Sequence, residues 1–177
     1  GGRVMMLRGK RVSLRAVEPE DLDLMYRIEN DTEIWKYGTA NVPYSRYALR
    51  RYIEETTYDI YVDGRSRLVI VDASGTSLGF IDLQNLDARN RRAEVGIALL
   101  SEWQGQHYGT EAMELLLRYA ARHLHLHQLY AIVADENCAA MRMFLQTKFK
   151  PSGTLSEWLY NGASGYADAS LLTRILD

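Results

Sequence analysis

A mixed α/β fold, one sheet with helices on both of its faces, is what this sequence predicts. Three observations carry that expectation. A hairpin turn reads at Asp72-Ala73-Ser74-Gly75-Thr76, between two apolar strand patterns. Two further strand patterns, 149–158 and 166–176, close the chain. Between these antiparallel pieces lies a strand–helix–strand unit, residues 91–134. Hairpins flanking such a unit require a mixed sheet, and the helices must cover it on both sides.

The elements follow in order. Residues 10–17 alternate as a strand. A helix is expected over 19–30: Pro19 suits its first position, and Glu20 and Asp21 meet the positive end of its dipole. Ser45 reads as the N-cap of a second helix, 45–57, whose inward face is Leu49, Tyr52, Ile53 and Thr56. Strands 67–72 and 77–85 flank the hairpin turn, and strand 91–99 follows. The helix 109–124 buries Met113, Leu116, Leu117 and Ala120. After strand 128–134, Asn137 caps a helix over 138–147 with Met141, Phe144 and Leu145 on its apolar face.

Composition narrows the class. At 177 residues the chain suits a single domain, 4–177, with Gly1-Gly2-Arg3 left outside the fold. An apolar fraction of 47% with 25% charged residues is that of a globular protein. A net charge of −2 offers no basic footprint for nucleic acid. The single cysteine, Cys138, rules out an internal disulfide and suits a reducing cytoplasm. No apolar run approaches the ~18 residues of a membrane span, and no signal peptide precedes the first strand. Homo-oligomer formation is left open.

The most informative stretch is 93–110. A short strand, Ala93 to Leu99, runs through Ser101-Glu102-Trp103 into Gln104-Gly105-Gln106-His107-Tyr108-Gly109-Thr110, and a helix begins at once. A glycine-containing turn feeding a helix N-terminus is suited to bind phosphate: the first N–H groups are unpaired and the dipole is positive there. No Lys-Ser/Thr follows the last glycine, so this is not a P-loop. The G-x-G-x-x-G spacing of a dinucleotide site is absent as well.

The loop resembles the pyrophosphate loop of the GNAT acyl-CoA N-acyltransferases, Q/R-x-x-G-x-G/A, with Gln104 and Gly109 at its ends and His107 in place of the middle glycine. A second segment, Asn137 to Phe149, resembles that family's N-x-x-A/S-x-x-x-Y/F-x-x-x-G-F. Asn137, Ala140, Phe144 and Phe149 match, and Lys148 replaces the glycine. Arg11 to Leu22, Arg92 to Gly96, Leu124 to Tyr130 and the C-terminal Tyr160 to Asp168 are similar to the branch containing spermidine and ribosomal-protein N-terminal acetyltransferases. Resemblance thus covers nearly the whole chain.

That resemblance implies a mostly antiparallel sheet of six to seven strands, splayed between the strands at 91–99 and 128–134. It implies acetyl-CoA as cosubstrate and no metal. The loop Gln104, Gly105, Gln106, His107, Tyr108, Gly109 and Thr110 would hold the pyrophosphate. Val95, Ile97 and Leu99 would follow the pantetheine, and Asn137 and Phe144 would lie near it. The acetyl group would pass directly to a primary amine through a tetrahedral intermediate. A polyamine such as spermidine is the first acceptor, and the N-terminal amine of a protein the alternative. A CoA-binding regulator with little catalysis is the reading from another class.

The residues add chemistry of their own. An alkylamine with a pKa near ~10.4 is mostly protonated at neutral pH, so acyl transfer needs a base. If strand pairing is regular, Glu94, Gly96 and Ala98 share one face and Val95, Ile97 and Leu99 the other. Glu94 is therefore the candidate base; the competing reading pairs it with Arg91, Arg92 or a neighbouring strand. Phe144 stands where the family often has a proton-donating tyrosine and cannot donate. Tyr108, Tyr130, Tyr166 or water remain open for that role. His123, His125 and His127 straddle a helix end and read as surface residues rather than ligands. Glu29, Glu33 and Asp82, among other acids of the first half, are the candidate contacts of a cationic acceptor; a solvated acidic surface is the competing reading.

Overall fold

The computed structural model describes residues 7–32, 43–162 and 165–176. Seven strands form one sheet: β1 (Val12–Ala16), β2 (Ser66–Asp72), β3 (Ser77–Asp87), β4 (Arg92–Leu99), β5 (Gln128–Ala134), β6 (Lys150–Tyr160) and β7 (Tyr166–Ile175). Their spatial order is β1-β2-β3-β4-β5-β7-β6. Every neighbouring pair is antiparallel except β4 and β5, which the crossover helix between them forces to be parallel.

The helices are α1 (Leu22–Glu29), α2 (Arg46–Glu55), the single turn α3 (Ile60–Asp63), α4 (Tyr108–Arg122) and α5 (Cys138–Gln146). They divide between the faces, giving two cores. On one side Met113, Leu115 and Leu116 of α4 and Phe144 of α5 pack with Ile70, Ile81, Val95 and Leu129. On the other, Met25 and Ile28 of α1 and Leu49 and Ile53 of α2 pack with Val69 and Phe80. Strand β2 shows the division residue by residue: Leu68 and Ile70 join the first core and Val69 the second.

Most local expectations hold, with three differences. The first helix opens as a 3-10 turn, Pro19–Asp21, before α1 begins. There Asp21 accepts from the Glu18 N–H at 2.8 Å and from Arg15 at 2.8 and 2.9 Å, which tightens the entry. The turn α3 was not expected; Asp59 caps it by accepting from the Tyr61 N–H at 2.9 Å, and Gly64 ends it at φ +73°. On α5, Leu145 is exposed, and Ala140, Met141 and Met143 flank the buried Phe144 instead. Ser45 caps α2 as predicted, accepting from the Ala48 N–H at 3.0 Å.

The end of α5 explains one departure from the family pattern. Lys148 takes the left-handed conformation, φ +69°. Its N–H donates to the Leu145 carbonyl at 3.1 Å, and the Phe149 N–H donates to the Phe144 carbonyl at 3.0 Å. These are the two bonds of a Schellman cap, in which glycine is the usual left-handed residue. Phe149 then meets Phe144 edge-on, ring centroids 5.0 Å apart.

Candidate active site

Strands β4 and β5 pair only over Arg92, Ala93 and Glu94 with Gln128, Leu129 and Tyr130. Both continue beyond that point, to Leu99 and Ala134, without pairing to each other. The sheet therefore opens in its middle into a wedge whose apex is the Glu94–Tyr130 pair. Pairing of β4 with β3 is regular from Glu94 to Leu99, because the shift in that ladder falls between Gln84 and Asp87. The expected alternation follows: Gly96 and Ala98 line a cavity under α1 and α2, while Val95 joins the α4 core.

The helix side of the wedge presents unpaired backbone N–H groups among the described residues. His107 is the residue before α4 and adopts φ +66°, ψ +12°. The N–H groups of His107, Tyr108, Gly109 and Thr110 have no hydrogen-bond partner among the described residues. Gly109 is buried on Ile97 and Leu99, whose terminal carbons lie 3.5 and 3.6 Å from where a Cβ would sit. Ile97 and Leu99 thus seat the helix start against β4. The loop is tied down by its own side chains: Gln104 donates to the Leu99 carbonyl at 3.0 Å and Gln106 to the Glu102 carbonyl at 2.9 Å. Gly105, at φ +74°, makes the turn between them.

Sequence reasoning missed a cation here. Arg11 donates to the Gln106 carbonyl at 2.9 Å and lies 4.1 Å above the Tyr108 ring. Glu111 of α4 accepts from the N–H groups of Arg11 and Val12, at 2.8 and 2.9 Å, which locks the start of β1 to this helix. Nothing in the local sequence around 104–110 signals a residue some ninety positions away; the tertiary packing brings it.

Asn137 is the N-cap of α5, accepting from the Ala140 N–H at 3.2 Å, beside the open end of β5. Phe144 is buried and packs in the core, so its ring supports α5. Tyr108 is enclosed by Trp103 and Arg11. Tyr166 is exposed on the outer hairpin beside Tyr160, with ring centroids 5.6 Å apart.

At the wedge apex Glu94 is half-buried and accepts from Asn85 Nδ2 at 2.9 Å. Arg92 pairs with Asp87 and Arg91 donates to the His125 carbonyl, so among the competing partners it is the neighbouring strand β3, through Asn85, that bonds to Glu94. Tyr130 stands beside Glu94 in register. Burial, and after it the Glu94 charge, holds the Tyr130 phenol above its usual range, so it stays protonated at neutral pH.

The cavity under α1 and α2 has a volume of about 570 Å³. Tyr52, Phe80, Gly96 and Ala98 line it, with Glu29 and Asp82 in its wall. Both carboxylates converge on Arg67, unremarked in the sequence. Arg67 donates from Nε and NH2 to Asp82 at 2.8 Å each, and from NH1 to Glu29 at 2.7 Å. Burial works against its charge, but Asp82 and then Glu29 outweigh it and keep the guanidinium protonated. Glu33 lies outside the described residues. Among the described residues no group of three or more His, Cys, Asp or Glu is arranged to hold a metal.

The site thus joins a wedge between parallel strands, a helix start with unpaired N–H groups and a cavity of about 570 Å³. The family model for the acetyltransferase (GNAT) domain matches residues 11–150. The chain belongs to the GNAT acetyltransferases. It is an acetyl-CoA-dependent N-acetyltransferase. The spermidine N(1)-acetyltransferase of Escherichia coli (strain K12) is 30% identical over 153 residues, 85% of this chain and 80% of that protein. The crystal structure of the Vibrio cholerae spermidine N-acetyltransferase with CoA and spermine aligns at a TM-score of 0.84 and 27% identity, over 93% of this chain and 95% of that one. A dodecameric structure of the Vibrio cholerae enzyme aligns at 0.78 and 26% identity, over 93% of each chain. The GNAT fold predicted from the sequence is the fold of this acetyltransferase.

Proposed function

We propose that this acetyltransferase transfers the acetyl group of acetyl-CoA to a primary amine of a polyamine such as spermidine. The observation that carries the acceptor is the likeness, over most of the chain, to the Escherichia coli and Vibrio cholerae spermidine acetyltransferases. In this reading the loop Gln104 to Thr110 receives the pyrophosphate on its free N–H groups, with Arg11 adding charge. The open edge of β4 from Val95 to Leu99 takes the pantetheine arm, and Asn137 flanks it. Glu94, through water, removes the proton of the entering ammonium. The freed amine attacks the thioester carbonyl carbon to give a tetrahedral intermediate; as it collapses the carbon–sulfur bond breaks, Tyr130 gives its proton to the departing thiolate, and the proton shed by the acylated nitrogen returns through water to Tyr130. Glu29 and Asp82, both paired with Arg67, stand in the wall of the acceptor cavity.

A second acceptor, the N-terminal amine of a protein, is favoured by one observation: Arg67 already pairs with both Glu29 and Asp82. The test is thiol release from acetyl-CoA with spermidine and with a panel of N-terminal peptides. Turnover of spermidine above that of every peptide is expected; peptide acetylation without polyamine turnover would make the second acceptor the correct one.

Two further readings accompany the activity. The long outer strand β6 and its hairpin expose Trp158, Tyr160 and Tyr166, which supports self-association; light scattering reads its stoichiometry. An exposed free Cys138 suits a cytoplasmic setting. No helix among the described residues is long and apolar enough to cross a membrane.

A further inference from the structure

The acceptor cavity carries a cation of the protein's own. Arg67 sits with Asp82 on two of its nitrogens and Glu29 on the third. Its guanidinium carbon is 4.9 Å from the Phe80 ring centroid and 5.9 Å from that of Tyr52. Two carboxylates and two aromatic faces around one positive charge are what a protein uses to hold an ammonium ion. Arg67 is itself largely enclosed, its side chain 18% exposed, so the group lies within the wall rather than on the outer surface. Arg65, 4.5 Å over the Tyr52 ring, lines the same cavity. The described charges of the cavity wall, Glu29 and Asp82 against Arg65 and Arg67, therefore balance.

We propose that Arg67 is a specificity-determining residue: it fills a cation box in the acceptor cavity from within, and so limits how many substrate ammonium groups the cavity can anchor. This rests on the reading of a polyamine as acceptor. A polyamine brings several ammonium groups and a monoamine brings one. With Arg67 in place, the second ammonium finds Glu29 and Asp82 already bonded and gains little there. Without Arg67, Asp82 and both rings are left facing a space of guanidinium size, and a second substrate ammonium becomes their natural partner. Affinity for polyamines should then rise while affinity for a monoamine stays where it was. The geometry thus places this enzyme's discrimination between polyamines and simpler amines on a residue that is far along the chain from both cofactor motifs.

The experiment compares the parent enzyme with Arg67→Ala, using spermidine and butylamine as acceptors. The ratio of kcat/KM for spermidine over butylamine should rise at least tenfold in the variant. Methylguanidinium or spermidine at millimolar concentration should raise the melting temperature of the variant by more than that of the parent. This binding arm needs no turnover. An unchanged ratio in a folded variant, or equal thermal shifts in the two proteins, would overturn the role of Arg67. If Arg67→Ala does not fold, Arg67→Met replaces it. A methionine keeps the length of the side chain and removes its charge, so the ratio should rise at least threefold, and an unchanged ratio overturns the proposal. A parent enzyme that acetylates no polyamine at all would instead remove the acceptor reading, while the thermal shifts still report on the box.

Discussion

Asn85 donates from Nδ2 to Glu94 Oε1 at 2.9 Å, across the irregular end of the β3–β4 ladder. Asn85 does this from a left-handed backbone, φ +52°, a conformation that asparagine tolerates better than most residues. The bond fixes one carboxylate oxygen and leaves the other without a hydrogen bond among the described residues. Glu94→Gln keeps an oxygen for Asn85 and loses the ability to take a proton. Turnover at neutral pH should fall by about 10²-fold or more, with CoA affinity little changed. Steady-state kinetics beside a CoA titration checks both; a rate within about threefold of the parent would return Glu94 to a structural role.

Lys148 and His107 replace family glycines, and both adopt positive φ, +69° and +66°. A left-handed backbone costs an L-residue about 1–2 kcal/mol, and glycine gives back roughly 0.5–1 kcal/mol of that through its greater unfolded-state freedom. Lys148→Gly should therefore stabilise the fold by about 0.5–1 kcal/mol, a rise in Tm of about 1–4 °C for a chain of this size. Calorimetry decides it. A lower Tm would mean that the lysine side chain contributes more than its backbone costs.

The free N–H groups at the start of α4 make a prediction in which stability and binding part company. Thr110 occupies the third position of this helix. Thr110→Glu adds a carboxylate to the first turn, where the dipole favours it by about 0.3–1 kcal/mol. The same charge repels a pyrophosphate. Melting temperature without ligand should hold or rise, and the thermal shift produced by CoA should shrink. Unchanged CoA affinity would take the loop out of the cofactor site.

Much of this candidate site was legible because its parts are local. The loop before α4 announces itself by glycines followed by a helical pattern, and Asn137 by its place before an apolar helix face. The alternation that sets Glu94 apart from Val95 needs only a regular strand. Arg67 was hidden for a different reason. It faces Asp82 across the β2–β3 hairpin, and counting outward from the turn should have found the pair. A register shift between Ile70 and Val71 displaces the count by one, which puts Arg67 opposite the wrong residue. Arg11 was hidden by distance, since only the packing of β1 on α4 carries it to the loop.

Asp21 ties the entry of α1 to β1 through Arg15. Burial pushes its carboxyl up, yet the Arg15 guanidinium and the Glu18 N–H together outweigh burial and hold it below the ordinary value of 3.8. The stabilisation is therefore complete above that value and is lost as pH falls through the lower, folded-state pKa. Asp21→Asn should cost at least about 1.5 kcal/mol at neutral pH, the worth of charge-assisted hydrogen bonds. The gap between parent and variant should narrow below pH 3.8. Urea unfolding at several pH values measures it, and a gap that does not move with pH would deny the charge any part.

Tyr130 and Glu94 are coupled by position, and the coupling can be read in the pH profile. They pair in register at the last rung before β4 and β5 separate. Burial first, then the Glu94 carboxylate, raises the Tyr130 phenol above its ordinary value of 10.0. In the proposed role of proton donor to the departing thiolate, Tyr130 must be protonated, so activity should hold through neutral pH and fall only as pH rises through that raised value. Tyr130→Phe should lower kcat by about 10- to 10²-fold, leave KM for the amine nearly unchanged, and remove the alkaline limb. Glu94→Gln takes away a negative charge beside the phenol, so the alkaline limb of its residual activity should move to lower pH. A merely structural tyrosine would leave the limb where it was in both variants. If Tyr130→Phe keeps its full rate, water protonates the thiolate instead, a task made easier by a thiol pKa of about 8.5.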